Sequence, residues 1–91
     1  MAHKTFHITT DDIQQGRREH CTLCPVARSI SRVVGRQVCV VGINGLTPGR
    51  VEYLTDDGRH VVQDLPQTVG EKILCYDHTG EMEPFVFALP V

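Results

Sequence analysis

Ninety-one residues, 41% of them apolar with three Phe, two Tyr and no Trp, are enough for one modest hydrophobic core and too few for two. This composition excludes a disordered chain, and apolar runs of only about six residues exclude a helix that crosses a bilayer. Nine Lys and Arg against eleven acids give a net charge of −2, which weighs against general nucleic-acid binding.

From Lys4 to Thr9, Phe6 and Ile8 alternate with Thr5 and His7, the period-two pattern of a half-buried strand. Thr10 followed by Asp11 and Asp12 reads as the N-cap and acidic first turn of a short helix, which Gly16 closes. After the charged link Arg17–His20, Cys24-Pro25 opens a second helix with proline at its first position, where the missing N–H costs nothing. Val26, Ile30, Val33 and Val34 form its apolar face, Arg28 and Arg32 lie on the other side, and Gly35 caps the end. Val38 to Ile43 is β-branched and uncharged, which predicts a central strand covered on both sides. Turn signals at Asn44-Gly45 and Pro48-Gly49 lead into Val51–Leu54, and Asp56-Asp57-Gly58 predicts a hairpin into His60–Gln63. Leu65-Pro66 starts a third helix, with Val69, Ile73 and Tyr76 on one face and Gly80 at its end. Phe85–Leu89 is a last strand.

The order predicts a single α+β domain over residues 1–91, with four to five strands in a mixed or antiparallel sheet and two main helices on one face. A ferredoxin-like split βαβ arrangement is one candidate. Strand order cannot be read from the pattern, and the oligomeric state stays open. A homodimer formed through an edge strand, Lys4–Thr9 or Phe85–Leu89, is one possibility.

The densest chemical signal is Cys21-Thr22-Leu23-Cys24-Pro25. The stretch Met1–Ile8 lacks the continuous apolar region of a secretory signal, so a reducing, cytoplasmic setting is expected, with the four cysteines as thiols or metal ligands. As a redox pair, Cys24 at a helix N-terminus would have a lowered pKa. As half of a zinc site, Cys21 and Cys24 need further ligands, for which Cys75 and His78, three apart on the third helix, are the candidates. The plainer and preferred reading places Cys24 in the core and Cys21 in a loop, with no cofactor. Cys39 and Cys75 sit in apolar contexts and are expected to be buried and inert.

Charge divides unevenly: residues 1–36 carry six Lys and Arg against three acids, and residues 37–91 carry three against eight. The halves either neutralise each other on folding, the favoured outcome, or leave a basic surface of Arg28, Arg32 and Arg36 for a partner. Nucleic acid on Arg28 and Arg32 is disfavoured because no exposed aromatics interleave with them. No Gly-x-Ser-x-Gly elbow, phosphate loop, Gly-x-Gly-x-x-Gly or His-Glu-x-x-His is present, so catalysis is not expected.

Several segments together resemble a group of small uncharacterised proteins of tailed bacteriophages and bacterial genomes. Thr9-Thr10-Asp11-Asp12-Ile13-Gln14-Gln15-Gly16 is similar to their Thr-x-x-Asp-Ile-x-x-Gly stretch, and Cys24-Pro25-Val26-Ala27 to their Cys-Pro-Ile-Ala helix start, with Val for Ile at 26. Leu65-Pro66, Asp77-His78-Thr79-Gly80 and Pro84-Phe85-Val86-Phe87-Ala88-Leu89 match their Leu-Pro helix, Asp-x-x-Gly turn and Pro-Phe-x-Phe-x-Leu strand. The likeness spans nearly the whole chain and is weakest from about Gln37 to Asp64. It implies an architecture and a phage or bacterial origin, it includes Cys24 more firmly than Cys21, and it brings no catalytic residues. The function it suggests is that of an accessory protein binding a host or viral protein.

Overall fold

Phe6 and Ile8 are the two buried side chains of strand β1 (His3–Ile8). The computed structural model describes residues 3–18, 20–44 and 46–90. After β1 come α1 (Thr10–Gln15), α2 (Pro25–Val34), β2 (Cys39–Ile43), β3 (Pro48–Leu54), β4 (His60–Asp64), α3 (Gln67–Thr79) and β5 (Phe85–Pro90). The expected α+β domain is present. Its strands fall into two antiparallel sheets, β1-β5 and β2-β3-β4. The ferredoxin-like arrangement is therefore matched only as far as the pairing of the first strand with the last.

In the two-stranded sheet Phe6 stands opposite Phe87 with their rings stacked at 5.3 Å, and Ile8 stands opposite Phe85. Such a ribbon is marginal by itself and needs a covering layer. Helix α2 supplies it: the Ser29 hydroxyl donates to the His7 carbonyl at 2.9 Å, and Val26, Ala27 and Ile30 fill the space beneath. Val33, expected on the same face, is exposed instead, because the buried stripe runs through Val26, Ala27 and Ile30 toward Val34.

Caps mark the helix ends. Thr9, one residue before the expected Thr10, is the N-cap of α1. Its hydroxyl accepts from Asp12 N–H at 3.1 Å while the Asp12 carboxylate accepts from Thr9 N–H at 3.0 Å, a reciprocal box that requires the acid three residues after the cap. Cys24 caps α2 with Pro25 at its first position, and Gly35, in the left-handed region at φ 76°, ends it. Pro66 is the N-cap of α3 rather than its first residue. The guanidinium of Arg18 donates to the carbonyls of Asp77 and His78 at 2.8–3.1 Å, satisfying the far end of that helix with a positive charge.

In the three-stranded sheet β3, and not β2, is central. With helices on only one side, β2 is half covered: Val40 is buried while Val41 and Ile43 are partly exposed and Gly42 is open. Helix α3 lies across β3 and β2, and burial of Val69, Gly70, Ile73 and Tyr76 fixes which of its faces turns inward. Cys75 falls on the opposite face and is exposed, which corrects the expectation of a buried thiol. Among the described residues no helix is long and apolar enough to cross a membrane.

Helix α3 approaches the sheet closely at Gly70. A methyl group there would fall on Pro48 Cα and lie 2.5 Å from the Pro48 carbonyl oxygen. In an ordinary helix interior Gly→Ala stabilises by about 1 kcal/mol. Here backbone stands in the way, and Gly70→Ala is expected to lower stability by about 1–3 kcal/mol. Thermal unfolding followed by circular dichroism checks this; a raised melting temperature would show that β3 moves aside freely.

Candidate functional site

The stretch Cys21–Cys24 turns back on itself: Cys24 N–H donates to His20 O at 3.1 Å and Arg17 N–H to Leu23 O at 2.9 Å. This turn delivers Cys24 into the core at the start of α2, where its sulfur accepts from Ala27 N–H at 3.4 Å. Burial pushes the thiol up to about 11, and the bonds from the helix N–H groups, which act in the other direction, do not offset it. The lowered pKa expected from helix position is thus reversed by desolvation. Cys24 is a packing residue with a capping sulfur.

Cys21 is exposed, and its thiol neighbour across the turn is Cys39 at the start of β2. Val40 N–H donates to Cys21 O at 2.8 Å, which clamps the turn onto the outer edge of β2 and sets Cys21 beside Cys39. Burial first, and Cys21 beside it next, raise Cys39 to about 11. Sequence reasoning missed this pair because the residues are far apart along the chain and meet only through the register of loop and strand. Cys75 and His78 are exposed on α3. Among the described residues no group of three or more His, Cys, Asp or Glu is placed to hold a metal ion, so Cys21, Cys24, Cys75 and His78 do not come together as a ligand set. The cleft beside the turn, lined by His20, Cys21, Cys24, Val41, Ile73 and Asp77, has a volume of about 200 Å³. That is below the usual range of small-molecule sites, roughly 300–1,000 Å³.

The three arginines proposed as a partner surface are tied into the fold. Arg32 forms a two-pronged bond with Asp12, 2.8 Å from Nη1 to Oδ1 and 2.8 Å from Nη2 to Oδ2, and Nη2 also donates to His7 O at 3.1 Å. Arg28 approaches the same carboxylate with Nε at 3.6 Å and Asp11 with Nη2 at 3.8 Å. Arg36 donates to Leu54 O at 2.7 Å and to Asp56 at 2.6 Å. Neutralisation is therefore partly between the halves of the chain, at Arg36, and partly within the first, at Arg28 and Arg32. Burial works to raise the Asp12 carboxyl, but Arg32 and Thr9 outweigh it and hold it below its ordinary value, while the bonds that Arg32 donates to Asp12 raise Arg32.

A different surface is left open. Register places Cys39 beside Glu52 and Val62, Val41 beside Arg50 and Asp64, and Leu54 beside His60, all on the side of the β2-β3-β4 sheet away from the helices. Leu54 and Val62, diagonal neighbours on β3 and β4, are 59% and 51% exposed. Around them Glu52 accepts from Arg50 Nε at 2.8 Å and lies 2.9 Å from His60 Nε2. A sequence signal for this face exists: Val61-Val62 and Val40-Val41 put valine at consecutive positions, so in either register one of each pair must turn outward. No family model, curated protein or solved structure matches the chain.

Two outcomes test this arrangement. Because the Asp12 carboxyl is more acidic in the native state than unfolded, its contribution is complete above the ordinary carboxylate pKa and is lost as pH falls through the native value. Asp12→Asn is expected to cost about 2 kcal/mol at neutral pH and to flatten the loss of stability below about pH 4; urea titrations at neutral and acid pH measure both. In thiol trapping at mildly alkaline pH, exposed Cys21 and Cys75 should label in the folded protein and Cys24 only on unfolding. Mass mapping of the labelled peptides reads the order, and early labelling of Cys24 would contradict it.

Proposed function

We propose that this protein acts by binding a protein partner on the outer face of the β2-β3-β4 sheet, without catalysis. The observation that carries this reading is the side-by-side exposure of the diagonal neighbours Leu54 and Val62 among charged residues. An apolar centre with a polar surround is the usual anatomy of an interaction site. The sheet belongs to the acidic part of the chain, and Arg28, Arg32 and Arg36 of the basic part are engaged with Asp11, Asp12 and Asp56. The partner that fits is therefore a protein presenting an apolar residue within a basic surface, and its association should weaken with salt. The phage or bacterial resemblance is consistent with an accessory protein of the cytoplasm whose target is a host or viral protein. Burial, which raises the thiols of Cys24 and Cys39, speaks for packing rather than redox work at these two cysteines.

A photo-crosslinking residue placed at Val62 or Leu54 tests the face, with Val86, an exposed valine on β5 of the other sheet, as the control. Expected is one shared adduct with a different protein from both positions, diminished by added salt, absent from Val86, and lost when the crosslinker at Val62 is combined with Leu54→Lys. An equal yield from Val86, or no adduct from either sheet position, would count against the proposal.

A further inference from the structure

The open edge of β4 carries information about a partner that the sheet face does not. Antiparallel ladders alternate hydrogen-bonded with non-hydrogen-bonded residue pairs. Two bonds beyond the ends of the β3-β4 ladder set its phase: Thr55 N–H donates to Arg59 O at 2.8 Å and Leu65 N–H to Gly49 O at 3.1 Å. Between them Tyr53 with Val61 and Val51 with Gln63 are the bonded pairs. It follows that His60, Val62 and Asp64 turn their N–H and C=O groups away from β3, and among the described residues nothing bonds to them there. Their side chains all lie on the outer sheet face.

The other edges are treated differently. That of β2 is clamped by Cys21, and that of β1 is overlain by α2, with Ser29 and Arg32 both on the His7 carbonyl. Strand β5 is bracketed by Pro84 and Pro90, which have no N–H to give. Strand β4 has neither the proline nor the lysine that commonly protects an edge.

We infer that β4 pairs antiparallel with β4 of a second copy of this chain about a two-fold axis at Val62, joining two three-stranded sheets into one of six strands. The register is selected by the sequence itself. With Val62 opposite Val62, His60 of each copy faces Asp64 of the other, and the three outward-bonding residues of each strand are all used. Opposed in this way, the valines give an apolar cross-strand pair, and on either side an imidazole, which also reaches Glu52 at 2.9 Å, faces a carboxylate. A slip by two residues in one direction sets Asp64 against Gly58 in the hairpin, and in the other it sets His60 against Pro66. Only the centred register keeps all six backbone bonds. This inference is independent of the hetero-partner proposed above, because the six-stranded sheet leaves the outer face open.

Sedimentation equilibrium on the intact chain from micromolar to millimolar concentration tests it. Expected is a dimer mass that dissociates on dilution, and Val62→Pro, which removes an edge N–H but no bond to β3, should weaken the dimer at least about tenfold. A monomer throughout, or a dimer indifferent to Val62→Pro, overturns the inference. Two charge variants guard against a mere folding defect. His60→Lys with Asp64→Lys makes the edge basic, and His60→Glu makes it acidic. Each alone should be monomeric with a native circular dichroism spectrum, and their mixture should form the dimer. A mixture of two folded variants that stays monomeric overturns it equally.

Discussion

A carboxylate with no exposed surface stands at the junction of three elements. Asp12 belongs to α1, accepts from the N-cap at the end of β1, and is gripped by Arg32 from α2, whose remaining donor reaches the His7 carbonyl on β1. Removing such a charge from water costs several kcal/mol unless its lone pairs are filled, so the position of each neighbour is dictated by the others. Helix α1, only six residues long, could not hold itself together in isolation. It exists because its acid serves the cap and the ion pair at once. Through α2 the same interaction seats the layer that covers Phe6, Phe87 and Ile8, and so the two-stranded sheet depends on it as well.

The arginines show how one residue pattern can be read in two ways. Arg28, Arg32 and Arg36, spaced by four along α2 and its end, describe a solvated stripe if the helix is considered alone. Asp11 and Asp12 precede them in the chain, and the turn at Cys21–Cys24 folds α1 back against α2 so that acids and bases meet. The favourable alignment of the acids with the first turn of α1 and their pairing with α2 are compatible, so nothing local in the sequence reveals which dominates.

Boundaries set by local chemistry were legible: Cys24-Pro25, Gly35 and Gly80 mark helix ends because cap and φ preferences act over a few residues. What was not legible came from tertiary placement. The uncharged run Val38–Ile43 looked like a central strand, yet it lies at the side of its sheet, since apolarity reports burial and does not report pairing order. Cys75 looked buried from its neighbours Leu74 and Tyr76, but a helix turns by 100° per residue, and the face chosen by Val69, Ile73 and Tyr76 leaves it outside. The helix start at Cys24 told where the sulfur would sit but not how dry that place would be. Dryness is the larger effect on its acidity. The outer sheet face had a signal in its doubled valines, one that becomes readable only when both members of each doublet are assigned a side.

The pairing of β1 with β5 has a kinetic side. Phe6 meets Phe87 and Lys4 meets Leu89, so β1 finds its strand partner about eighty residues further along the chain. The β2-β3-β4 meander, by contrast, closes through short turns and carries its own contacts to α3. Local contacts form before distant ones because the entropy of closing a long loop has to be met first. During synthesis the meander and α3 can therefore organise while β1 waits, its buried face shielded only by α2, until β5 has been made. The strand that carries Phe6 and Ile8 thus closes the longest loop in the fold, the one whose entropy is costliest to lose.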